Sequence, residues 1–367
     1  MANFNGTLNS NEIFAALYNM IISQQVFADN IKGTKSELVD MARVDGSMYG
    51  DTKLYYSTDV LRSYEWLKDG EQLEAKNLLN LYRPKAPECQ AITLNVFRQI
   101  PLTIDNYLSK RAWGTEGAFS EFNGVMLGWI RETKKVYDST TYNTFIGTAK
   151  SDKASENIEI DVTTAVGSTT GEEKARIKAG VIGEAIANLL VDLSDISRDF
   201  NDYGNLRSYN SDDLVFVWNS KAVSEIEKRD LPTIYHKEIV DKFAQHVLPA
   251  RYFGTVNTQA KTGDGSTIRS LIEQDVTKAS SPDVHVFAGD LIPTGYSVDA
   301  NKSYTVDDKV LFKVYHTGPN SVPYMSAFEV GTSFFNPKSL TENHYLTFGH
   351  NTLEYLKNYP FITVKQK

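Results

Sequence analysis

Apolar residues recur at three-to-four spacing in two long stretches of the chain and alternate or cluster in short runs elsewhere, which predicts mixed helix and sheet. The first stretch covers residues 115–140, where Phe119, Phe122, Met126, Trp129 or Ile130, Thr133 and Val136 form one stripe and Glu132, Lys134 and Lys135 the wet face. Gly117, Gly124 and Gly128 each weaken such a helix by about 1 kcal/mol, so they are expected where it packs closely on a sheet. The second covers residues 171–200, with Ile182, Ile186, Leu189, Leu193, Ile196 and Phe200 on one face and acids at its start. Between them, residues 157–163 (NIEIDVT) alternate like a strand.

Residues 13–22 read as a short apolar helix capped by Asn9 or Ser10. A helix below about 12 residues is marginal alone, so its face of Ile13, Phe14 and Leu17 must dock elsewhere. Residues 53–60 and 91–102 read as strands around a polar excursion holding Trp66, Leu73, Leu78, Leu79 and Tyr82. Together they predict a projecting β-ribbon, which buries little by itself and needs a partner surface. Past residue 204 the elements shorten: strand 214–218, helical turns at 222–228 and 237–247, strands 284–288 and 310–315. That texture predicts a separate α/β domain over 204–330. The tail, 324–364, carries Phe328, Phe334, Phe335, Tyr345, Phe348 and Tyr355 and reads as sheet closing an earlier core.

Composition narrows the classes. With 367 residues, 41% apolar and 23% charged, the chain has material for two or three globular cores. Net charge is −8, with 46 acids and 38 bases interleaved along the chain, which argues against broad nucleic-acid binding. Apolar runs fall short of the ~18 residues that span a bilayer, and no basic leader opens the sequence, so a soluble chain is expected. Cys89, the one cysteine, leaves no internal disulfide and suits a reducing cytoplasm.

No constellation converges on chemistry. Residues 262–267 (TGDGST) lack the spacing and lysine of a phosphate loop and read as a tight turn. The pairs Asp212/Asp213 and Asp307/Asp308 are adjacent, and neighbouring strand residues point to opposite faces, so they read as solvated turn charges. His236 and His246, ten apart in a helical pattern, sit about 80° off a common face. No catalytic residue, metal ligand or cofactor site is therefore expected. What stands out is an arm, a ribbon and long helices, all wanting partners.

This order of parts resembles the major capsid proteins of tailed double-stranded DNA bacteriophages, with the α+β Hong Kong 97-like fold, and most of all the short-tailed phage branch. The resemblance implies an N-terminal arm at 1–48, an extended loop (E-loop) at 49–102, a peripheral (P) domain with its spine helix at 103–203, an axial (A) domain at 204–330 and a return to the P-domain sheet at 331–367. Leu214-Val215-Phe216-Val217-Trp218-Asn219-Ser220 is similar to the opening of the A domain, and Phe334-Phe335-Asn336-Pro337-Lys338 through Phe348 to the closing return. It further implies a non-enzymatic shell subunit in hexamers and pentamers around packaged double-stranded DNA, away from membranes. A separate scaffolding protein, a portal and possible cement proteins would be its partners. Because arm and E-loop occupy residues 1–102, no cleaved scaffold segment is expected within the chain. Contacts between subunits would fall on Ile13, Phe14 and Leu17 of the arm and on Leu54, Tyr55, Tyr56, Arg62 and Lys68 of the E-loop. Two alternatives stand beside this: a nanocompartment shell of the same fold, and an α/β hydrolase, which would require convergent acids in a pocket.

Overall fold

The longest helix runs over Glu116–Thr148. In this computed structural model residues 37–46, 50–64, 81–105, 116–227, 246–256, 273–278, 281–287 and 304–367 are described. The arm helix at 13–22, the excursion residues Trp66 to Leu79, the 262–267 turn and most of the 237–247 helix lie outside them. The chain divides into two compact units.

The first unit comprises Met1–Asp51, Leu94–Tyr142 and Tyr324–Thr352. Its sheet places the short strand Arg43–Asp45 parallel to Tyr324–Asn336, which pairs antiparallel with Thr341–Asn351, which pairs antiparallel with the 18-residue strand Glu88–Asp105. The helix meets this sheet through Tyr137, whose ring lies 5.5 Å from Phe348 edge-on, and through Tyr142, 6.4 Å from Tyr324. Leu94, Ile104, Ile130, Met325 and Leu346 are buried in the same unit.

The second unit comprises Thr52–Thr93, Asn143–Pro323 and Leu353–Lys367. Its five-stranded sheet runs Asn157–Ile160, Phe361–Gln366, Val310–His316, Leu214–Asn219, His246–Leu248. All six residues of Leu214–Asn219 are buried, as expected of a strand covered on both faces. The Trp218 ring lies 4.6 Å from that of Phe312 on the neighbouring strand, tilted by 36°. Helix Glu172–Ser194 covers this core with Ile182, Ile186, Leu189 and Leu193.

Four sequence expectations change. The second helix stops at Ser194 instead of reaching residue 200, because Asp195 turns extended (φ −80°, ψ 158°) and its carboxylate accepts the Ile196 amide at 2.8 Å. Such short polar side chains compete with the helix for backbone groups, and Ile196 ends up exposed while Phe200 stays buried. The strand at 157–163 ends at Ile160, and Asp161 caps a short helix, Val162–Val166, by accepting the Thr164 amide at 2.9 Å. Residues 246 and 247 belong to a strand, His246–Leu248, because Pro249 follows and disfavours helix before it. Gly124 and Gly128 pack on nothing, whereas a Cβ at Gly147 would meet the Tyr252 carbonyl oxygen at 1.9 Å.

Candidate assembly surface

In the second unit, strand Thr52–Ser57 pairs antiparallel with the start of the 18-residue strand, Tyr56 opposite Cys89. Two-residue periodicity splits its side chains. Leu54 (52% exposed) and Tyr56 (64%) face outward, while Tyr55 is half-buried in a small pocket with Gln90, Tyr203 and Tyr359. Burial holds the Tyr55 phenol above its ordinary range.

Polar ties hold the base of this ribbon. Buried Ser57 donates to Asn358 Oδ1 at 2.5 Å and accepts from Asn205 Nδ2 at 2.7 Å. Gln90 donates to the Tyr355 carbonyl at 3.0 Å and accepts the Lys357 amide at 3.0 Å. Arg207 donates to the Thr58 carbonyl at 2.6 Å. Asp59 accepts the Leu206 amide at 3.0 Å and Arg198 Nη1 at 2.7 Å, and these bonds, the amide first, lower its carboxyl to about 2. The carboxylate therefore stays charged at any physiological pH.

Beyond the anchor the chain turns apolar and outward. Val60, Leu61, Tyr64, Leu81 and Tyr82 are all exposed, and the Tyr64 and Tyr82 rings lie 4.5 Å apart. Val60, Leu61, Tyr64 and Tyr82 line an open groove of about 790 Å³ flanked by Arg62, Arg83 and Lys85. Of the predicted contact residues, Leu54, Tyr56 and Arg62 lie on the exposed side of this ribbon. Ile13, Phe14, Leu17 and Lys68 fall outside the described residues.

The first unit carries an exposed apolar end of its own. Phe334 (62%) and Phe335 (50%) sit where strands Tyr324–Asn336 and Thr341–Asn351 meet, with Val330 and Leu340 also exposed. Consecutive strand residues point to opposite faces, so both faces are apolar there. Sequence reading had assigned these phenylalanines to a closing core. The doublet itself was the available signal, because two adjacent strand residues cannot both point into one side of a sheet. Phe348 of that aromatic set is deeply buried, at 2%.

Among the described residues the candidate acids do not converge. Asp307 pairs with Lys365 at 2.6 Å and Asp308 with Lys221 at 2.6 Å, so the neighbouring acids diverge. Asp212 and Asp213 sit on a surface turn, Ser211–Asp213. Among the described residues no three His, Cys, Asp or Glu side chains gather as metal ligands. No described helix is long and apolar enough to cross a membrane.

No curated protein sequence matches this chain. Among solved structures, the capsid structure of Staphylococcus phage Andhra superposes with TM-score 0.63 at 11% identity, covering 94% of this chain and 87% of that one. A structure of the head fiber and inner core protein gp22 of native bacteriophage P68 follows, with TM-score 0.54 and 12% identity over 90% of this chain and 84% of that one. These likenesses show the fold, the α+β Hong Kong 97-like architecture of tailed-phage capsids. The profile of Phi29-like phage major capsid proteins matches residues 2–364. With nearly every residue inside that match and the capsid fold in place, the chain belongs to the Phi29-like phage major capsid protein family and is a subunit of a phage head shell.

Proposed function

We propose that the chain closes an icosahedral or prolate head as hexamers and pentamers, with its parts divided as arm 1–48, E-loop 49–102, P domain 103–203, A domain 204–330 and return 331–367. One observation carries the reading: a ribbon pinned at its base by Ser57, Gln90 and Asp59 holds Leu54, Tyr56, Leu61, Tyr64, Leu81 and Tyr82 out to solvent. An isolated soluble monomer gains nothing from such a patch, whereas obligate interfaces bury about 2,000 Å² or more with apolar centres. Contacts repeated around a ring add up even when each is weak. The basic flank of Arg62, Arg83 and Lys85 supports an acidic surface on the neighbouring copy as its seat.

Identical subunits with adaptable contacts permit several curvatures unless something selects one, which supports a separate scaffolding protein. A portal, possible cement proteins, double-stranded DNA packaged without sequence specificity and assembly in the host cytoplasm complete the reading. The net charge of −8 favours DNA that slides along the wall over DNA that sticks to it.

Electron microscopy of the chain expressed alone tests this. Tubes, sheets or shells of mixed size are expected, and uniform closed heads without any helper would remove the scaffold. Deleting residues 1–34 should leave a folded subunit with normal circular dichroism that forms few shells. Ordinary shells from the truncated chain would remove the arm from assembly.

A further inference from the structure

Between the long helix and strand Asn157–Ile160 lies a connector, residues 151–157, that is sewn to the turn at 198–202. Lys153 Nζ donates to the carbonyls of Arg198 at 2.5 Å and Asn201 at 2.8 Å, and Ser155 Oγ donates to that of Asp199 at 2.6 Å. Asp202 accepts Ser151 Oγ at 3.2 Å through one oxygen and Tyr355 OH at 2.7 Å through the other. Glu156 sits inside this seam with 0% of its surface exposed, and neither of its carboxyl oxygens accepts a well-formed hydrogen bond.

The surroundings decide which form of Glu156 is present. Burial acts most strongly and disfavours the charge, and the Asp202 carboxylate does the same. The Ser151 hydroxyl, the Lys153 ammonium and the Phe361 amide oppose them, yet the net effect is a carboxyl raised to about 7. Lys153 is too occupied with two carbonyls to act as a full counter-ion. The phenols nearby, Tyr209 and Tyr355, are both pushed up by burial and stay neutral.

We propose that Glu156, fully buried in this seam without a well-formed hydrogen bond, is held there as the neutral acid, and that its proton latches the 151–157 connector onto the 198–202 turn. With the proton present, the seam carries one negative charge, spread over Asp202 and its two hydroxyl donors. When the proton leaves to solvent, a second charge is stranded on a fully buried side chain, and the connector loosens. The latch thus makes this part of the subunit less stable as pH rises toward neutral.

Glu156→Gln keeps the shape and removes the proton, so the full-length wild type and this variant should be compared by denaturation between pH 5 and 8.5. A group bound more tightly to its proton in the folded state loses its stabilisation as pH climbs from the unfolded value, 4.5, to the folded value, about 7. The wild-type folding equilibrium constant, relative to Glu156→Gln, should fall by up to about tenfold per pH unit across that window and level off above it. Asp202→Asn should move the window to lower pH. A ratio that stays constant with pH overturns the proposal. If Glu156→Gln does not fold, infrared spectroscopy of the wild type decides: a protonated-carboxyl band that vanishes near pH 7, earlier in Asp202→Asn, supports the latch, and no such band overturns it.

Discussion

Tyr324 donates its hydroxyl to Asp138 Oδ1 at 2.7 Å, joining a strand to a helical carboxylate whose side chain is 3% exposed. Burial, and then the charge of Asp138, hold the Tyr324 phenol far above its ordinary range, so it remains a donor. Lys134 at 2.9 Å and Arg43 at 3.3 Å share the other oxygen, so the buried charge is neutralised and bonded. Tyr324→Phe should therefore destabilise the subunit by about 1.5–3 kcal/mol, the value of a hydrogen bond to a charged group. Asp138→Ala should cost more, about 3–5 kcal/mol, because it leaves the largely covered Lys134 only the more distant and exposed Glu329 carboxylate at 3.7 Å. Urea denaturation of unassembled subunits gives both numbers, and equal losses would contradict the role of Lys134.

The same helix shows what sequence reading reaches and where it stops. Its first half was legible from the Phe122, Met126, Trp129 or Ile130 stripe. The expected helix stops at residue 140, yet it runs on to Thr148, and residues 137–144, Tyr-Asp-Ser-Thr-Thr-Tyr-Asn-Thr, are all buried and helical. The Thr141 hydroxyl survives there by bonding back one turn to the Tyr137 carbonyl at 2.6 Å, a contact invisible to hydrophobic periodicity. The buried strand Leu214–Asn219 was legible because burial on both faces leaves a near-continuous apolar run, and Val310–His316 was legible in the same way despite the buried Lys313 within it. On the ribbon the exposed Leu54 and Tyr56 were legible as well. Its anchor was not, because Ser57 meets Asn358 across 301 residues of sequence.

Two glycines of this helix should respond in opposite ways. Gly147→Ala drives a methyl into the backbone carbonyl of Tyr252, and backbone cannot rotate aside as a side chain can. A loss at or above the upper end of the 1–3 kcal/mol seen for overpacking is expected. Gly128→Ala meets nothing within 4 Å and should stabilise the isolated subunit by up to about 1 kcal/mol. Denaturation midpoints moving the same way for both would show that the 147–252 approach is not tight.

His350 makes the first unit sensitive to acid. Its Nδ1 faces the Asn351 carbonyl at 2.8 Å and must carry the proton, which leaves Nε2 to accept the Tyr137 hydroxyl at 2.9 Å. Burial lowers its pKa below the ordinary 6.5, with Arg98 and Lys134 adding to the effect and Asp138 and the Asn351 bond opposing it. The unfolded chain then takes up a proton first as pH falls, so stability from this site is present above 6.5 and lost progressively below it. The advantage of wild type over His350→Gln should shrink between pH 7.5 and 5.5, measured by thermal melting of both. A gap that widens toward acid would reverse the sign and mean that His350 is charged in the fold.

The ribbon makes the sharpest separation between folding and assembly. Leu54 and Tyr56 point outward from a strand whose base is independently tied, so replacing both with Asp should change subunit stability by no more than about 0.5 kcal/mol. In a shell the same change puts two charges into an apolar seat and should abolish closed particles. Tyr55→Asp is a poorer probe, since Tyr55 is half-buried beside Gln90, Tyr203 and Tyr359 and its loss disturbs the subunit itself. Charges at the rim act differently: ion pairs there steer and register more than they hold. Arg62→Ala and Lys68→Ala should leave shells forming while flattening the dependence of assembly rate on salt, read by light scattering from low to high ionic strength. If the Leu54 and Tyr56 double variant assembles as readily as Lys68→Ala, the ribbon lies back on its own subunit and the seat for a neighbouring copy must be sought elsewhere, with the exposed Phe334 and Phe335 the next surface to charge.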